Sequence, residues 1–191
     1  MHKLIVVDTE TGGLDPTKYS ILSLGAVVWE DGAIKDSFEV FIAEPELCVE
    51  PEAMAVNRID IDWLHKHGLP PQDAVKKFKL FLDKNFENYR KEKISVAGHN
   101  VGFDISFIKR LYTFTDYRYE DMFSHRTLDT AGIIKFLTIA GKLQLDSPSS
   151  NAAFKYFNIP IEEGKRHSAL ADAMATADLL NHSIMIVNKR T

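Results

Sequence analysis

The 191-residue sequence contains one cysteine, and this scarcity excludes two kinds of site. Cys48 has no second cysteine with which to form an internal disulfide, so a disulfide-stabilised scaffold is excluded. No set of cysteines and histidines with the spacing of a structural zinc site surrounds it. We therefore expect Cys48 to be a buried or semi-buried thiol with no chemical role.

Long hydrophobic runs are also missing. No apolar run approaches the roughly 18 residues of a membrane span, and the apolar residues 4–7 end at Asp8, too soon for the core of a signal peptide. We expect a cytoplasmic protein with no membrane partner. Basic residues are not in excess, since the net charge is −4. This charge does not suggest a nucleic-acid partner, although a site that gathers carboxylates for metal ions can make the total misleading.

The composition is that of an ordinary globular protein, with 45% hydrophobic and 26% charged residues. The sequence has no repeats, low-complexity tracts or linkers, and its length suits one domain. We therefore predict a single domain over residues 1–191.

Apolar and turn patterns predict five strands separated by helices. An unbroken apolar run marks the first strand, and Asp31-Gly32 marks a hairpin between the second and third. The predicted strands cover residues 3–8, 20–30, 33–42, 93–98 and 126–130. The predicted helices cover residues 72–86, 103–114, 130–141, 147–159 and 168–187. An antiparallel meander followed by alternating strands and helices predicts an α/β fold, with helices on the faces of a mixed sheet.

The first strand ends in two carboxylates, Asp8 and Glu10. Residues two apart on a strand point to the same face, so the two anions lie close together if the strand continues past Thr9. Two crowded anions repel, and a proton or a cation is needed to relieve that repulsion. Oxygen ligands suit hard ions such as Mg2+ and Mn2+. A solvated acid pair at a strand end is the alternative.

Two later segments carry acids that could join the same site. Asp104 lies in the first turn of a predicted helix, directly after a strand. Asp172 lies on the last helix among alanines, which allow a helix to approach another element closely. His167 comes five residues before Asp172, at the predicted start of that helix, where its ring can turn towards the same site.

Three motifs resemble those of the DnaQ-like, or DEDD, superfamily of 3′–5′ exonucleases. DTETGGL, from residue 8, resembles the D-x-E first motif, HNVGFD ends at Asp104 like the second, and HSALAD matches the H-x-A-x-x-D third motif. His167, with Ser168 where the tyrosine branch has tyrosine, is typical of the histidine branch, DEDDh. The resemblance spans residues 8–172 and implies a ribonuclease H-like fold with a mixed five-stranded sheet flanked by helices.

The resemblance also implies a mechanism. Four acids, Asp8, Glu10, Asp104 and Asp172, would hold two Mg2+ or Mn2+ ions at the 3′-terminal phosphodiester. His167 would act as the general base, and nucleoside 5′-monophosphates would be released. The alternative for His167 is a surface histidine at a helix start. Six further residues are weaker candidates for substrate binding: Thr9, Thr11, Gly12, Leu14, Asn100 and Phe103.

Simpler roles remain open for several of these residues. Leu14 could anchor its turn, and Asn100 and Phe103 could cap and pack the helix that follows them. The basic pair Lys109-Arg110 and the pair Lys165-Arg166 could steer a phosphate backbone or could be solvated surface charges.

The substrate and partners are less defined. DTETGGL resembles the first motif of polymerase-proofreading and general exonuclease members more than that of oligoribonucleases, and this resemblance modestly favours DNA over RNA. The expected partner is the 3′ end of a nucleic acid, single-stranded. The sequence ends soon after the last predicted helix, which leaves no room for the C-terminal polymerase-binding tail of a proofreading subunit. We therefore expect either a free-standing nuclease or a proofreading-like domain that serves a polymerase in trans. An RNA-trimming exoribonuclease, a non-catalytic nucleic-acid-binding or proofreading-accessory module, and a small-molecule metallophosphoesterase are the alternatives. The oligomeric state stays open.

Overall fold

The computed structural model of the protein describes residues 2–87, 89, 91–161 and 168–188. A mixed sheet lies at its centre, built from β1 (Lys3–Thr11), β2 (Ile21–Glu30), β3 (Ala33–Phe41), β4 (Ile94–Gly98) and β5 (Phe123–Asp129). The strand order is β3-β2-β1-β4-β5. The first three strands pair antiparallel, whereas β1 with β4 and β4 with β5 pair parallel. The predicted five-stranded mixed sheet is therefore confirmed.

Eight helices are seen in the described residues. They are α1 (Pro51–Asn57), α2 (Ile61–His67), α3 (Pro71–Asn85), α4 (Gly102–Tyr112), α5 (Tyr119–Met122), α6 (Thr130–Ile139), α7 (Ser150–Tyr156) and α8 (Ala169–Asn188). All five predicted helices are present, with shifted ends. The short helices α1, α2 and α5 were not predicted, because one or two turns show too little periodicity to be recognised.

The turn between β2 and β3 has the predicted hairpin chemistry. Asp31 and Gly32 both have positive φ angles, 46° and 91°, as a two-residue type I′ turn requires. Aspartate tolerates this region and glycine adopts it without steric cost. The hairpin fixes the register of β2 against β3 close to its turn, where Glu30 pairs with Ala33.

The residues of β1 alternate between two apolar layers. Ile5 and Val7 belong to the main core, with side chains of α3 and α4. Leu4 and Val6 belong to a second cluster, which includes Ala177 and Leu180 of α8. Because the alternation has a period of two, Asp8 and Glu10 continue the row that faces α8. The intervening Thr9 faces α4.

Helix α8 is tied to the β2–β3 hairpin at its C-terminal half. The indole Nε1 of Trp29 donates a 2.8 Å hydrogen bond to Oδ1 of Asn181. The Nδ2 of Asn181 in turn donates to the carbonyl of Gly32 at 3.0 Å. These bonds fix how α8 lies along the sheet, and therefore where its first turn meets the strands.

The exposure of Cys48 corrects the expectation of a buried thiol, because its side chain is exposed. Its backbone is fixed, since its N–H donates to Oγ of Ser20 and its carbonyl accepts from the N–H of Ser20, both at 3.0 Å. Tight backbone pairing therefore coexists with a solvent-facing thiol.

No helix among the described residues is long and apolar enough to span a membrane.

Candidate metal centre

Three carboxylates meet where β1 passes under the first turn of α8. Asp8, Glu10 and Asp172 each offer an oxygen, and the three oxygens lie within 4.8 Å of one another. The extended conformation of β1 continues through Thr11, so Asp8 and Glu10 project from the same face as the sequence predicted. Asp172, in the first turn of α8, is buried against that face. The structure thus brings these three predicted ligands together.

Asp104, the fourth predicted ligand, lies beside this group in the first turn of α4. Its side chain is held from β1, because the N–H and the hydroxyl of Thr9 both donate to Oδ1 of Asp104, at 2.9 and 2.8 Å. Asp104 is only 4% exposed. Burial raises its pKa from 3.8 to about 7, the charge of Asp129 adds to the rise, and the two bonds from Thr9 oppose it.

The acids line an open pocket of about 240 Å³. Seven of its lining residues are ones that the sequence predicted: Asp8, Thr9, Glu10, Asn100, Phe103, Asp104 and Asp172. Five were not predicted as site residues: His99, Ser150, Asn151, Phe154 and Thr176. Thr176 is one turn after Asp172 on α8, so helical periodicity could have indicated it. Ser150, Asn151 and Phe154 belong to α7, whose approach to the pocket has no sequence signal.

The end of β1 and the turn after it hold three more of the predicted substrate-binding residues. The hydroxyl of Thr11 donates to the carbonyl of Gly13 at 2.8 Å. Gly12 packs tightly, since a Cβ there would lie 2.3 Å from the carbonyl oxygen of Cys48. The side chain of Leu14 is 78% exposed, so it is not anchored in its turn. Thr11 and Gly12 therefore have structural roles here, while Leu14 is open to a ligand.

The turn before α4 is fixed through its backbone. Asn100 has a positive φ of 60°, and its N–H donates to Oδ1 of Asp129 at 3.0 Å. The same oxygen accepts from the N–H of Ala131, so Asp129 caps α6 as well. The N-cap residue of α4 is Val101 and not Asn100, and Val101 makes no side-chain capping bond. Phe103 is half-buried and packs against Phe107, with ring centroids 5.0 Å apart.

His99 has a defined ring orientation at the pocket. Its Nδ1 lies 2.9 Å from Oγ1 of Thr130. The Thr130 hydroxyl donates its one hydrogen to the carbonyl of Gly98 at 3.1 Å, so Nδ1 of His99 is the donor to Thr130. This structural bond is consistent with a histidine that supports the strand end.

The predicted general base, His167, lies outside the described residues, and so does the basic pair Lys165-Arg166. Arg110 of the other pair is bound to Glu44, whose side chain is only 1% exposed, with an Nη2–Oε2 distance of 2.7 Å. Its neighbour Lys109 pairs with Glu120 at 3.2 Å. Neither phosphate steering nor simple solvation fits Arg110, which instead ties α4 to a buried acid.

The donor set of Asp8, Glu10 and Asp172 fits a hard divalent cation. All three donors are carboxylate oxygens, the ligands that Mg2+ and Mn2+ prefer, and each is close enough to the others to share an ion. Three anions at this spacing also repel one another, so a bound cation would relieve an unfavourable interaction.

The chain is similar in sequence to several known nucleases and to a polymerase. Over 125 residues the chain is 34% identical to the 3′-5′ DNA exonuclease Cap18 of Escherichia coli, a match that covers 65% of the chain and 64% of Cap18. It is 29% identical to ribonuclease T of Shewanella denitrificans, covering 97% of the chain and 80% of that protein. It is 28% identical to the PolC-type DNA polymerase III of Clostridium perfringens, covering 94% of the chain but 11% of that polymerase.

A solved structure shows the same fold. Exonuclease I of Escherichia coli, crystallised with a dT13 oligonucleotide, superposes with a TM-score of 0.79 at 15% identity, over 95% of this chain and 41% of that one. The ribonuclease H-like fold is therefore confirmed. Residues 5–180 match the family model RNase_T, described as Exonuclease. The chain thus belongs to the exonuclease family, in agreement with its resemblance to the DnaQ-like 3′–5′ exonucleases.

Proposed function

We propose that the protein is a metal-dependent 3′–5′ exonuclease that releases nucleoside 5′-monophosphates from the 3′ end of a nucleic acid. The observation that carries the proposal is the convergence of Asp8, Glu10 and Asp172 within 4.8 Å. Membership of the exonuclease family supports the reaction class. The name of Cap18, a 3′-5′ DNA exonuclease, supports the direction of digestion and favours DNA.

Four acids, Asp8, Glu10, Asp104 and Asp172, would hold two Mg2+ or Mn2+ ions. When bound, such ions would lower the pKa of the attacking water and stabilise the leaving 3′ oxygen. The buried Asp104 would need to lose the proton that its raised pKa favours, so metal binding at neutral pH would release protons. Thr9 would orient Asp104 through its two hydrogen bonds.

His167 would accept the proton of the attacking water. An unperturbed histidine has a pKa near 6.5, which suits a general base at neutral pH. The support for this role is its position in HSALAD, five residues before Asp172 and directly before Ser168.

The pocket would receive a single-stranded 3′ end. Leu14 offers an exposed apolar side chain for the terminal base, and Asn100 and Phe103 line the pocket wall. Thr9, Thr11 and Gly12 would approach the terminal nucleotide from β1 and its turn. The oligonucleotide complex of exonuclease I supports a single-stranded substrate, and the PolC-type relative supports a polymerase partner in trans. The proposal treats residues 1–191 as one exonuclease domain that acts in the cytoplasm.

The test compares single-stranded DNA, duplex DNA and RNA of matched sequence. Each is labelled at its 5′ end and incubated with the protein and Mg2+ or Mn2+. We expect a ladder that shortens from the 3′ end, fastest on single-stranded DNA, with nucleoside 5′-monophosphates as product. Asp8→Ala should reduce the rate at least about 10³-fold, through lost charge stabilisation. Asp178→Asn, which removes an exposed acid of α8, should not.

Other outcomes would select the alternatives. A ladder on RNA alone would favour an exoribonuclease, for which the match to ribonuclease T over 97% of the chain is the supporting observation. Oligonucleotides that are bound but left intact would contradict the proposal and favour a non-catalytic module. Hydrolysis of small phosphodiesters alone would favour a metallophosphoesterase.

A further inference from the structure

Three residues form a row across the first three strands. In the register of the sheet Asp8 pairs with Gly25, and Gly25 pairs with Glu39. Paired residues of antiparallel strands place their side chains on the same face, so all three positions face α8. The row therefore links a proposed metal ligand on β1 to an exposed acid on β3.

Gly25 is a point of very close contact between α8 and the sheet. A Cβ at Gly25 would lie 2.2 Å from the carbonyl carbon of Ala169 and 2.3 Å from the nitrogen of Leu170. These are backbone atoms of the first turn of α8, which cannot move aside as a flexible side chain can. The missing side chain of Gly25 thus permits the helix to begin directly against β2, beside the strand that carries Asp8.

Glu39 binds the same first turn from the other side of Gly25. Its Oε1 accepts hydrogen bonds from the hydroxyl of Ser168 at 3.2 Å and from the N–H of Leu170 at 3.3 Å. The N–H groups at the start of a helix have no partner within the helix, and a carboxylate there also interacts favourably with the helix dipole. A strand residue therefore caps α8.

The capped turn also contains a proposed metal ligand, Asp172. The N–H of Asp172 donates to the carbonyl of Ser168 at 3.0 Å, so the residue that Glu39 binds is also bound to the backbone of Asp172. We propose that Glu39 is a positioning residue, which fixes the first turn of α8 so that the carboxylate of Asp172 is held towards Asp8 and Glu10. This inference rests on the proposed function.

The test uses conservative and disruptive changes at Glu39. Glu39→Ala removes the acceptor, whereas Glu39→Gln keeps an amide oxygen that can accept both bonds. Loss of a group that orients a metal ligand typically costs 10- to 100-fold in affinity or activity. We expect Glu39→Ala to weaken Mn2+ binding and to lower kcat about 10-fold each, with KM for the oligonucleotide unchanged. The Mn2+ affinity and the kcat of Glu39→Gln should both stay within about twofold of the wild-type values.

Mn2+ affinity is measured by calorimetry without substrate, and kcat and KM with a 5′-labelled oligonucleotide. Asp178→Ala is the matched control, because it removes an exposed acid of α8 outside the first turn. Glu39→Asp, one methylene shorter, provides a second variant and should resemble Glu39→Ala. All are assayed below the melting temperature, so that reduced stability alone does not change the affinity of the folded protein.

The outcomes separate this inference from the proposed function. Unchanged Mn2+ affinity in Glu39→Ala, with or without a lower melting temperature, would overturn the positioning role. Equal losses in Glu39→Gln and Glu39→Ala would also overturn it. A wild-type protein that binds Mn2+ but digests no nucleic acid would contradict the proposed function alone, because the affinity comparison would still test Glu39.

Discussion

Asp104 combines deep burial with a proposed role that needs a negative charge. Burial raises its pKa from 3.8 to about 7, so the metal-free protein holds a proton there at mildly acidic pH. The two bonds from Thr9 favour the charged form but do not outweigh the loss of solvation. A nearby divalent cation would reverse this balance, because its charge favours the carboxylate.

The raised pKa of Asp104 predicts a pH dependence of stability in EDTA. Between the unfolded pKa of 3.8 and the folded pKa of about 7, the folded protein binds a proton that the unfolded chain does not. The contribution of this group to the free energy of unfolding is therefore full below pH 3.8 and is lost as the pH rises to about 7. Urea unfolding of the wild type and of Asp104→Asn at pH 5 and at pH 7.5 measures this contribution. We expect the free energy of unfolding of the wild type to fall more between the two pH values than that of the variant. An identical pH dependence in both proteins would contradict the prediction.

The hydroxyl of Thr9 is expected to orient the same carboxylate for metal binding. Thr9→Val keeps the backbone N–H but removes the hydroxyl that donates to Asp104 at 2.8 Å. Because Oδ1 of Asp104 still accepts from the N–H of Thr9, one of its two bonds is lost, which lowers the free energy of unfolding by about 0.5–1.5 kcal/mol. We expect kcat and Mn2+ affinity to fall about 10-fold, because Asp104 is less well oriented. Thr9→Ser keeps a hydroxyl, so its kcat and Mn2+ affinity should lie close to the wild-type values in the same assays. Losses in Thr9→Ser as large as those in Thr9→Val would argue against an orienting role.

At the scale of elements, α8 is fixed at two places along its length. Its first turn lies against Gly25 and is capped by Glu39, and its later turns are tied to the hairpin by Asn181. Two separated attachments define the rotation of a helix about its axis as well as its position. The position and the rotation of α8 together direct the side chain of Asp172 towards β1.

Gly25→Ala should displace α8. The added methyl group would overlap the backbone of Ala169, and overpacking of this kind costs about 1–3 kcal/mol or more. We expect a lower melting temperature and weaker Mn2+ binding. Gly132→Ala on α6 is the control, because nothing lies within 4 Å of its added Cβ, and alanine favours a helix. Equal melting temperatures for Gly25→Ala and the wild type would contradict close helix–sheet contact.

Helix α4 is tied to the turn after β1 in a similar way. Arg110 donates to Glu44 and to the carbonyl of Pro16, and Glu44 also accepts from the hydroxyl of Ser20. Because the side chain of Glu44 is only 1% exposed, removing Arg110 would leave a buried carboxylate without its cation. The element that carries Asp104 and the turn that carries Leu14 are thereby joined through one buried acid.

At the scale of the whole molecule, β1 lies between two layers of helices and contributes side chains to the apolar cluster on each side. One face of the strand meets α8, and the other meets α3 and α4. The alternation of β1 therefore sends Asp8 and Glu10 towards Asp172 while Thr9 binds Asp104. Acids from three elements far apart in the sequence meet at one end of the sheet.

Metal binding should stabilise the whole fold. A ligand that binds only the folded state at 100 times its Kd adds about 2.7 kcal/mol to the free energy of unfolding. We expect Mn2+ to raise the melting temperature, since it also relieves the repulsion among Asp8, Glu10 and Asp172. The gain, measured by calorimetry, should be lost in Asp172→Asn and kept in Asp178→Asn. A gain of the same size in both variants would place the binding elsewhere.

The sequence by itself determined the strands, the longer helices and the acidic residues of the site. Strand and helix periods are local properties, as is the hairpin at Asp31 and Gly32, so they can be read without knowing the fold. The pairing of Asp8 with Glu10 on one face also follows from the period of a strand alone. His167 stays a prediction, because it lies outside the described residues.

Only the tertiary structure decided which groups hold those acids in place. Glu39 binds Ser168, which is 129 positions later in the sequence, and Arg110 binds Glu44, which is 66 positions earlier. The exposure of Cys48 and the approach of α7 to the pocket also depend on contacts between distant segments. A local pattern fixes the direction of a side chain within its own strand or helix. Its partner depends on how those elements pack, which hydrophobic burial and sheet register decide together.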